Sequence, residues 1–127
     1  MKPIILVFLG AGIGGVLRHL THLMFLRLFG AAFPWGTLAV NVAGSMVMGL
    51  LVAWLVTRAG ASWSQDARLL LMTGVLGGFT TFSAFSLEAW LLWERGAVGL
   101  AAMYVVASVV LSIAALGAGL GLGRALS

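Results

Sequence analysis

Four long apolar stretches, separated by short segments that hold nearly all the charged residues, dominate the sequence. No Asp, Glu, Lys or Arg occurs at positions 3–17, 28–57, 69–87 or 96–123. Because a helix that crosses a bilayer needs about 20 apolar residues, the pattern predicts four transmembrane helices, near residues 4–27, 36–57, 67–94 and 97–122. We therefore expect an all-α membrane protein with one transmembrane domain over residues 1–127 and no room for a soluble catalytic domain.

The composition agrees with this pattern, since 62% of the residues are hydrophobic and only 8% are charged. A soluble domain carries about 25% charged residues. A net charge of +4 would suggest nucleic-acid binding in a soluble chain, but here the basic residues are scattered between the predicted spans. The absence of cysteine excludes disulfides and thiolate metal sites.

The basic residues are distributed almost evenly between the two predicted membrane faces. Arg27 and Arg95 flank one face, Arg18 lies inside the first span nearer that face, and the opposite face has Lys2, Arg58, Arg68 and Arg124. So small a difference gives little orientation preference. It favours insertion in both orientations and pairing with an inverted copy, with a weakly biased single topology as the alternative. Four short helices barely enclose a path, so transport would require a homo-oligomer.

Polar residues recur every fourth position in two of the predicted spans. One ladder lies in the second span and the other in the fourth: Thr37, Asn41 and Ser45; Tyr104, Ser108 and Ser112. Residues four apart share one face of a helix. Ser and Thr also bond to their own helix or join helices, but two aligned ladders favour an ion path.

The third span combines glycines with threonines, a pattern that predicts a break in the helix at membrane depth. Gly74, Gly77 and Gly78 precede Thr80 and Thr81, and both residue types weaken helices. A break frees backbone groups, as in the discontinuous helices that build ion sites. Freed carbonyls would suit Na⁺, whereas amide and hydroxyl donors would suit an anion; a simple packing kink is the alternative.

Two charged residues and an aromatic pair complete the candidate chemistry. Arg18 lies at the deep end of the first span, where it would either concentrate anions at a vestibule or extend toward the interface. Glu88 lies inside the third span and is expected to accept hydrogen bonds from Thr37 or Tyr104. Phe82 and Phe85 share a helix face and are ordinarily core residues, although a phenyl ring has a positive edge.

Glycine pairs at four-residue spacing predict close contacts between helix backbones. They are Gly10 with Gly14, Gly117 with Gly121, and Gly119 with Gly123. We interpret these pairs as packing features and assign them no functional role.

Three runs of residues resemble the signatures of the Fluc fluoride channels. Residues 34–41 read PWGTLAVN and are followed by Gly44, residues 73–83 read TGVLGGFTTFS, and residues 14–18 read GGVLR. The resemblance spans all four predicted helices. It implies an antiparallel, dual-topology homodimer in the bacterial inner (cytoplasmic) membrane, with the third helix broken mid-membrane. It also implies passive, selective export of F⁻ for fluoride resistance, without any enzymatic reaction.

The same resemblance implies roles for individual residues. Phe82 and Phe85 would present ring edges to fluoride, and Asn41 would donate its amide in the pore. The polar track would continue through hydroxyl and carboxylate groups, namely Ser83, Tyr104, Ser108, Ser112, Thr37 and Glu88. Arg18 would line the aqueous vestibule. The Gly77 and Thr80 carbonyls of both subunits would hold one central, structural Na⁺.

One position departs from the family pattern, and two other functions need to be weighed. Family members commonly have Thr between Ser83 and Phe85, where this chain has Ala84, so we expect a lower conduction rate. A small drug/proton antiporter would also have four short spans, but it needs a carboxylate in its first span, which here has none. An accessory subunit of a membrane complex would need no polar ladders.

Overall fold

The computed structural model describes residues 1–57 and 64–126, and these are helical almost throughout. The helices, in chain order, are α1 Lys2–Phe29, α2 Trp35–Thr57, α3 Ser64–Ala67, a π-helix Arg68–Leu76, α4 Gly77–Phe79, α5 Phe82–Glu94 and α6 Val98–Leu126. Four segments are long and apolar enough to cross a membrane: Lys2–Phe29, Trp35–Val56, Gln65–Glu94 and Val98–Leu126. The prediction of an all-α protein with four spans is thus confirmed, while Arg58, one of the counted basic residues, lies outside the described ranges.

Glycine brings the helix backbones close together at two places. Gly14 of α1 faces the third span so closely that an added Cβ would meet the Val75 carbonyl and the Phe79 amide. Gly119 of α6 lies equally close to the Met46 carbonyl of α2. Gly10 and Gly123 make similar approaches, whereas a Cβ at Gly117 or Gly121 would have no atom within 4 Å. Two of the three predicted glycine pairs therefore lie at close helix contacts, and the pair Gly117 and Gly121 does not.

The backbone of the third span changes conformation several times along its length. The π-helix, whose turns are wider than those of an α-helix, runs to Leu76 and is followed by the short helix α4. Thr80 and Thr81 then have extended dihedral angles, with φ/ψ of −83°/159° and −154°/118°. Helix α5 begins at Phe82, and the Thr81 hydroxyl caps it by accepting from the Ala84 amide at 3.1 Å.

Two polar contacts fix which helix ends lie together. Lys2 Nζ at the start of α1 lies 2.7 Å from Asp66 Oδ2 of α3. At the other end of the bundle, Arg95 donates to the carbonyl of Ala32, between α1 and α2. The buried core between these ends is small and is centred on Phe85, Leu92, Ala101 and Tyr104. Most large apolar side chains point outward, as expected of a bundle surrounded by lipid or by another protein chain.

Candidate functional site: a polar path along α2, α5 and α6

A groove of about 450 Å³ runs along the subunit where α2, α5 and α6 meet. Both polar ladders contribute to it, since its walls include Asn41 and Ser45 from α2 and Ser108 and Ser112 from α6. Thr80, Thr81, Phe82 and Phe85 form the side contributed by the third span. Residues that are far apart in the sequence, on α2, on the third span and on α6, therefore line the same groove.

Asn41 holds the non-helical segment of the third span in place. Its Oδ1 accepts from the Thr81 amide at 2.8 Å, and its Nδ2 donates to the Thr81 carbonyl at 3.0 Å. The first bond satisfies the Thr81 N–H, which has no helical partner because Thr81 precedes α5 as its N-cap, and such satisfaction is a requirement at membrane depth. The side-chain amide has two N–H groups, so one further donor remains for the groove.

Glu88 is the centre of a polar cluster beyond the end of this groove. Its Oε1 accepts from Thr37 Oγ1 at 2.9 Å, and its Oε2 accepts from the Tyr104 hydroxyl at 3.1 Å. Thr37 and Tyr104 are both fully buried, with 0% exposure. Both of the hydrogen bonds considered for Glu88 are thus present. The first residue of each ladder, Thr37 in α2 and Tyr104 in α6, donates to the same carboxylate.

The aromatic side chains connect the groove to this cluster. The rings of Phe82 and Phe85 have centroids 5.4 Å apart, and those of Phe85 and Tyr104 are 5.2 Å apart. Phe82 is 77% exposed within the subunit, whereas Phe85 is only 8% exposed. The two phenylalanines that share a helix face are therefore in different environments. The ring of Phe33 packs against that of Tyr104 in an edge contact, with an angle of 84° between the ring planes.

Ser108 differs from the other hydroxyl groups of the path. Its side chain is buried, with 6% exposure, and its Oγ has no hydrogen-bond partner among the described residues. Leaving a buried hydroxyl unpaired costs about 1–3 kcal/mol. Among the described residues, the Ser108 hydroxyl therefore has an unused donor at the wall of the groove.

Two of the expected residues lie at the margin of the path or away from it. Ser83 Oγ lies 3.3 Å from Thr81 Oγ1, so it contacts the helix cap and is not among the groove residues. Arg18 lies half-buried on α1 and is likewise absent from the groove walls.

The backbone near Gly77 and Thr80 departs from helical hydrogen bonding. In a continuous helix the Thr81 amide would donate to the Gly77 carbonyl, but here it donates to Asn41. The extended conformation of Thr80 also takes its carbonyl out of the helical pattern. Residues 1–57 and 64–126 contain no cluster of three His, Asp or Glu side chains that could hold a metal ion.

Sequence reasoning missed the importance of Thr81, which both bonds to Asn41 and caps α5. The available signal was a Thr just before a new helical segment, which is typical of an N-cap. It also missed the aromatic support that Phe33 gives to Tyr104. The positions of Phe33 and Tyr104 in the sequence do not predict that contact.

The chain is similar to known proteins over nearly its whole length. Residues 5–120 match the family model described as CrcB-like protein, Camphor Resistance (CrcB). A fluoride-specific ion channel FluC of Agrobacterium fabrum is 58% identical over 124 residues, covering 98% of each chain. The FluC of Rhodopseudomonas palustris is 56% identical, covering 97% of this chain and 98% of the relative. The FluC of Beijerinckia indica is 53% identical over the full length of both chains.

Proposed function

The chain belongs to the CrcB family, and we propose that it is a passive, fluoride-selective ion channel that exports F⁻ and so confers fluoride resistance. Relatives of more than half identity carry the name of fluoride-specific channels over nearly the whole chain. It is a multi-pass membrane protein, and we assign it to the bacterial inner membrane. A passive channel lowers a barrier to diffusion without covalent chemistry, so the protein is not an enzyme.

The observation that carries the proposal is the single groove that both polar ladders and the phenylalanine pair share. Fluoride in water is held by hydrogen-bond donors, and an ion path must replace them. Asn41 and the serines supply donors along the groove. The positive edges of Phe82 and Phe85 add an attraction for an anion. Several weak sites in series permit exit as well as entry.

Selectivity follows from the rigidity of this lining. The Asn41 amide is fixed at both ends by Thr81, and Phe85 is held between Phe82 and Tyr104. Chloride is larger than fluoride, so donors that cannot move apart bind it poorly. The two bonded donors at Glu88 keep that carboxylate turned toward Thr37 and Tyr104, which limits its repulsion of the ion.

We propose that the working unit is an antiparallel homodimer. The groove is open along one side of the subunit, and Phe82 beside it is 77% exposed. A second, inverted copy would cover that side and close the path. The near-equal distribution of basic residues on the two faces supports insertion in both orientations.

We further propose that the third span is interrupted mid-membrane to hold one structural Na⁺. The Gly77 and Thr80 carbonyls of both subunits would bind the ion, which supplies fixed positive charge at the centre of the dimer. The extended Thr80–Thr81 segment and the diverted Thr81 amide support this assignment. Replacing Na⁺ by a large organic cation during purification should then weaken the dimer, as measured by size-exclusion chromatography.

Fluoride efflux from liposomes that contain the purified protein tests the function directly. A fluoride electrode should record rapid fluoride loss, while chloride efflux from the same preparation stays at the level of empty liposomes. If neither ion moves and the protein is still dimeric, Ala84→Thr restores the hydroxyl common in the family. Recovery of fluoride efflux in this variant would attribute the missing efflux to position 84. Continued absence of efflux would refute the channel assignment.

The antiparallel arrangement has its own test. A tag at one terminus should be reached by an impermeant label from both sides of the membrane, in about equal amounts. Labelling from one side alone would refute dual topology without affecting the fluoride measurement. The two alternatives, a drug/proton antiporter and an accessory subunit, predict no fluoride flux from the purified chain.

A further inference from the structure

A small cavity of about 150 Å³ lies on the far side of Glu88 from the groove. Glu88 and Arg95 are the charged side chains that line it, and the segment between α1 and α2 closes it with Ala31, Ala32 and Pro34. A second cavity of about 170 Å³, with His22 in its wall, also reaches Glu88. The polar path thus continues past Glu88 toward the end of the bundle where Arg95 lies.

Arg95 directly follows α5 as its C-cap and lines the same cavity as Glu88. One guanidinium nitrogen of Arg95 donates to the Ala32 carbonyl. A guanidinium has five N–H donors, so this bond anchors the side chain and leaves most of its donors available.

The charge of Arg95 matters because the other charged side chain that lines this cavity is a carboxylate. Glu88 lies in the same cavity, and the adjacent Glu94 accepts from the Trp90 indole at 2.8 Å. An anion that enters this cavity meets the Glu88 carboxylate and is repelled by it. A fixed cation at the mouth opposes that repulsion and raises the local anion concentration.

We propose that Arg95 is the entry cation of a second vestibule, at the Glu88 end of the path, where it gathers fluoride before the ion reaches the polar track. This role is distinct from that of Arg18, which lies on α1 and lines neither the groove nor this cavity. The inference rests on the proposed fluoride conduction. It assigns a function to a residue that the sequence signatures do not include.

The competing role for Arg95 is structural, since its bond to Ala32 also ties the α1–α2 segment to α5. Two variants separate the roles. Arg95→Lys keeps the positive charge and loses the planar geometry, whereas Arg95→Gln loses the charge and keeps an amide donor for the Ala32 carbonyl. Arg27→Gln is the matched control, because it removes one charge from the last turn of α1 without touching the cavity.

The experiment measures initial fluoride efflux from phosphatidylcholine liposomes at two ionic strengths, set with sodium gluconate. At an ionic strength of about 0.01 M the screening length is about 30 Å, and Arg95→Gln should reduce the efflux rate roughly three- to tenfold. At 1 M the screening length is about 3 Å, and the reduction should be less than about twofold. Arg95→Lys should stay within about twofold of the parent chain at both. Arg27→Gln should show a smaller loss than Arg95→Gln at low salt.

The outcomes that overturn the inference are separate from those that overturn the function. An Arg95→Gln rate equal to the parent rate at low ionic strength would refute the entry role. Equal losses in both Arg95 variants, independent of salt, would identify Arg95 as a structural tie. A parent chain that moves no fluoride would instead refute the proposed function, and the entry role with it.

Discussion

The side-chain amide of Asn41 bonds both backbone groups of Thr81, accepting from its N–H at 2.8 Å and donating to its carbonyl at 3.0 Å. This pair of bonds joins α2 to the extended segment of the third span. Such a segment would otherwise expose a peptide group to the membrane interior, which costs several kcal/mol. Asn41 therefore has a structural role as well as the expected role of a donor in the path.

Asn41→Asp should abolish conduction and weaken the fold. The substitution replaces the Nδ2 donor by a carboxylate oxygen that faces the Thr81 carbonyl, and it places negative charge against an anion. We expect a loss of about 1–3 kcal/mol in the free energy of unfolding and at least a tenfold drop in fluoride efflux. Thermal unfolding in detergent and liposome efflux measure the two effects. Wild-type efflux would contradict the donor role, and an unchanged free energy of unfolding would contradict the structural role.

Phe82→Ile and Phe85→Ile should each lower fluoride flux and leave the dimer intact. Both remove the positive ring edge, but Phe85 is buried between Phe82 and Tyr104, so its loss should also reduce stability, by about 1 kcal/mol or more. Phe82 is mostly exposed in the subunit, and its replacement should cost less. Efflux and size-exclusion chromatography test this, and unchanged flux in both variants would rule out the aromatic role.

Ser108→Ala should reduce flux without destabilising the protein. The hydroxyl has no hydrogen-bond partner in residues 1–57 and 64–126, so its removal takes away a desolvation penalty and breaks no hydrogen bond there. A lost donor to a charged ion is worth about 1.5 kcal/mol or more, or roughly tenfold in rate. Ser86→Ala is the control, because Ser86 Oγ already donates to the Phe82 carbonyl at 2.9 Å. Equal efflux in the two variants would show that Ser108 does not contact the ion.

Gly14→Ala should destabilise the subunit far more than Gly12→Ala. A Cβ at Gly14 would collide with the backbone of Val75 and Phe79, whereas a Cβ at Gly12 would meet nothing within 4 Å. Overpacking costs about 1–3 kcal/mol, and Ala in an open helical site gains up to about 1 kcal/mol over Gly. Melting temperatures in detergent compare the two variants. A Gly14 variant as stable as the Gly12 variant would mean that α1 and the third span can separate.

The four spans could be predicted because charge is excluded from hydrocarbon, and this rule acts on each segment alone. The two ladders could be predicted for a similar reason, since helical spacing fixes which side chains share a face. For Glu88 the sequence suggested Thr37 or Tyr104 as a hydrogen-bond donor, and the structure contains both bonds; that the two ladders meet on one carboxylate was not predicted.

Features that depend on contacts between segments were harder to predict. The bond between Asn41 and Thr81 joins positions 40 residues apart, and no local pattern announces it. The contrast between exposed Phe82 and buried Phe85 depends on where α6 packs. The π-helical turns of residues 68–76 accompany the close approach of Gly10 and Gly14, which the sequence marks only as a packing tendency.

The long separation of Asn41 from its partner also has a consequence for biosynthesis. At about 5–20 residues per second, roughly 2 to 8 seconds pass between synthesis of Asn41 and synthesis of Thr81. During that interval α2 carries an amide with no peptide group to bond. An unpaired amide in hydrocarbon costs free energy, so insertion of the second span becomes more favourable once the third span emerges and supplies the Thr81 peptide groups.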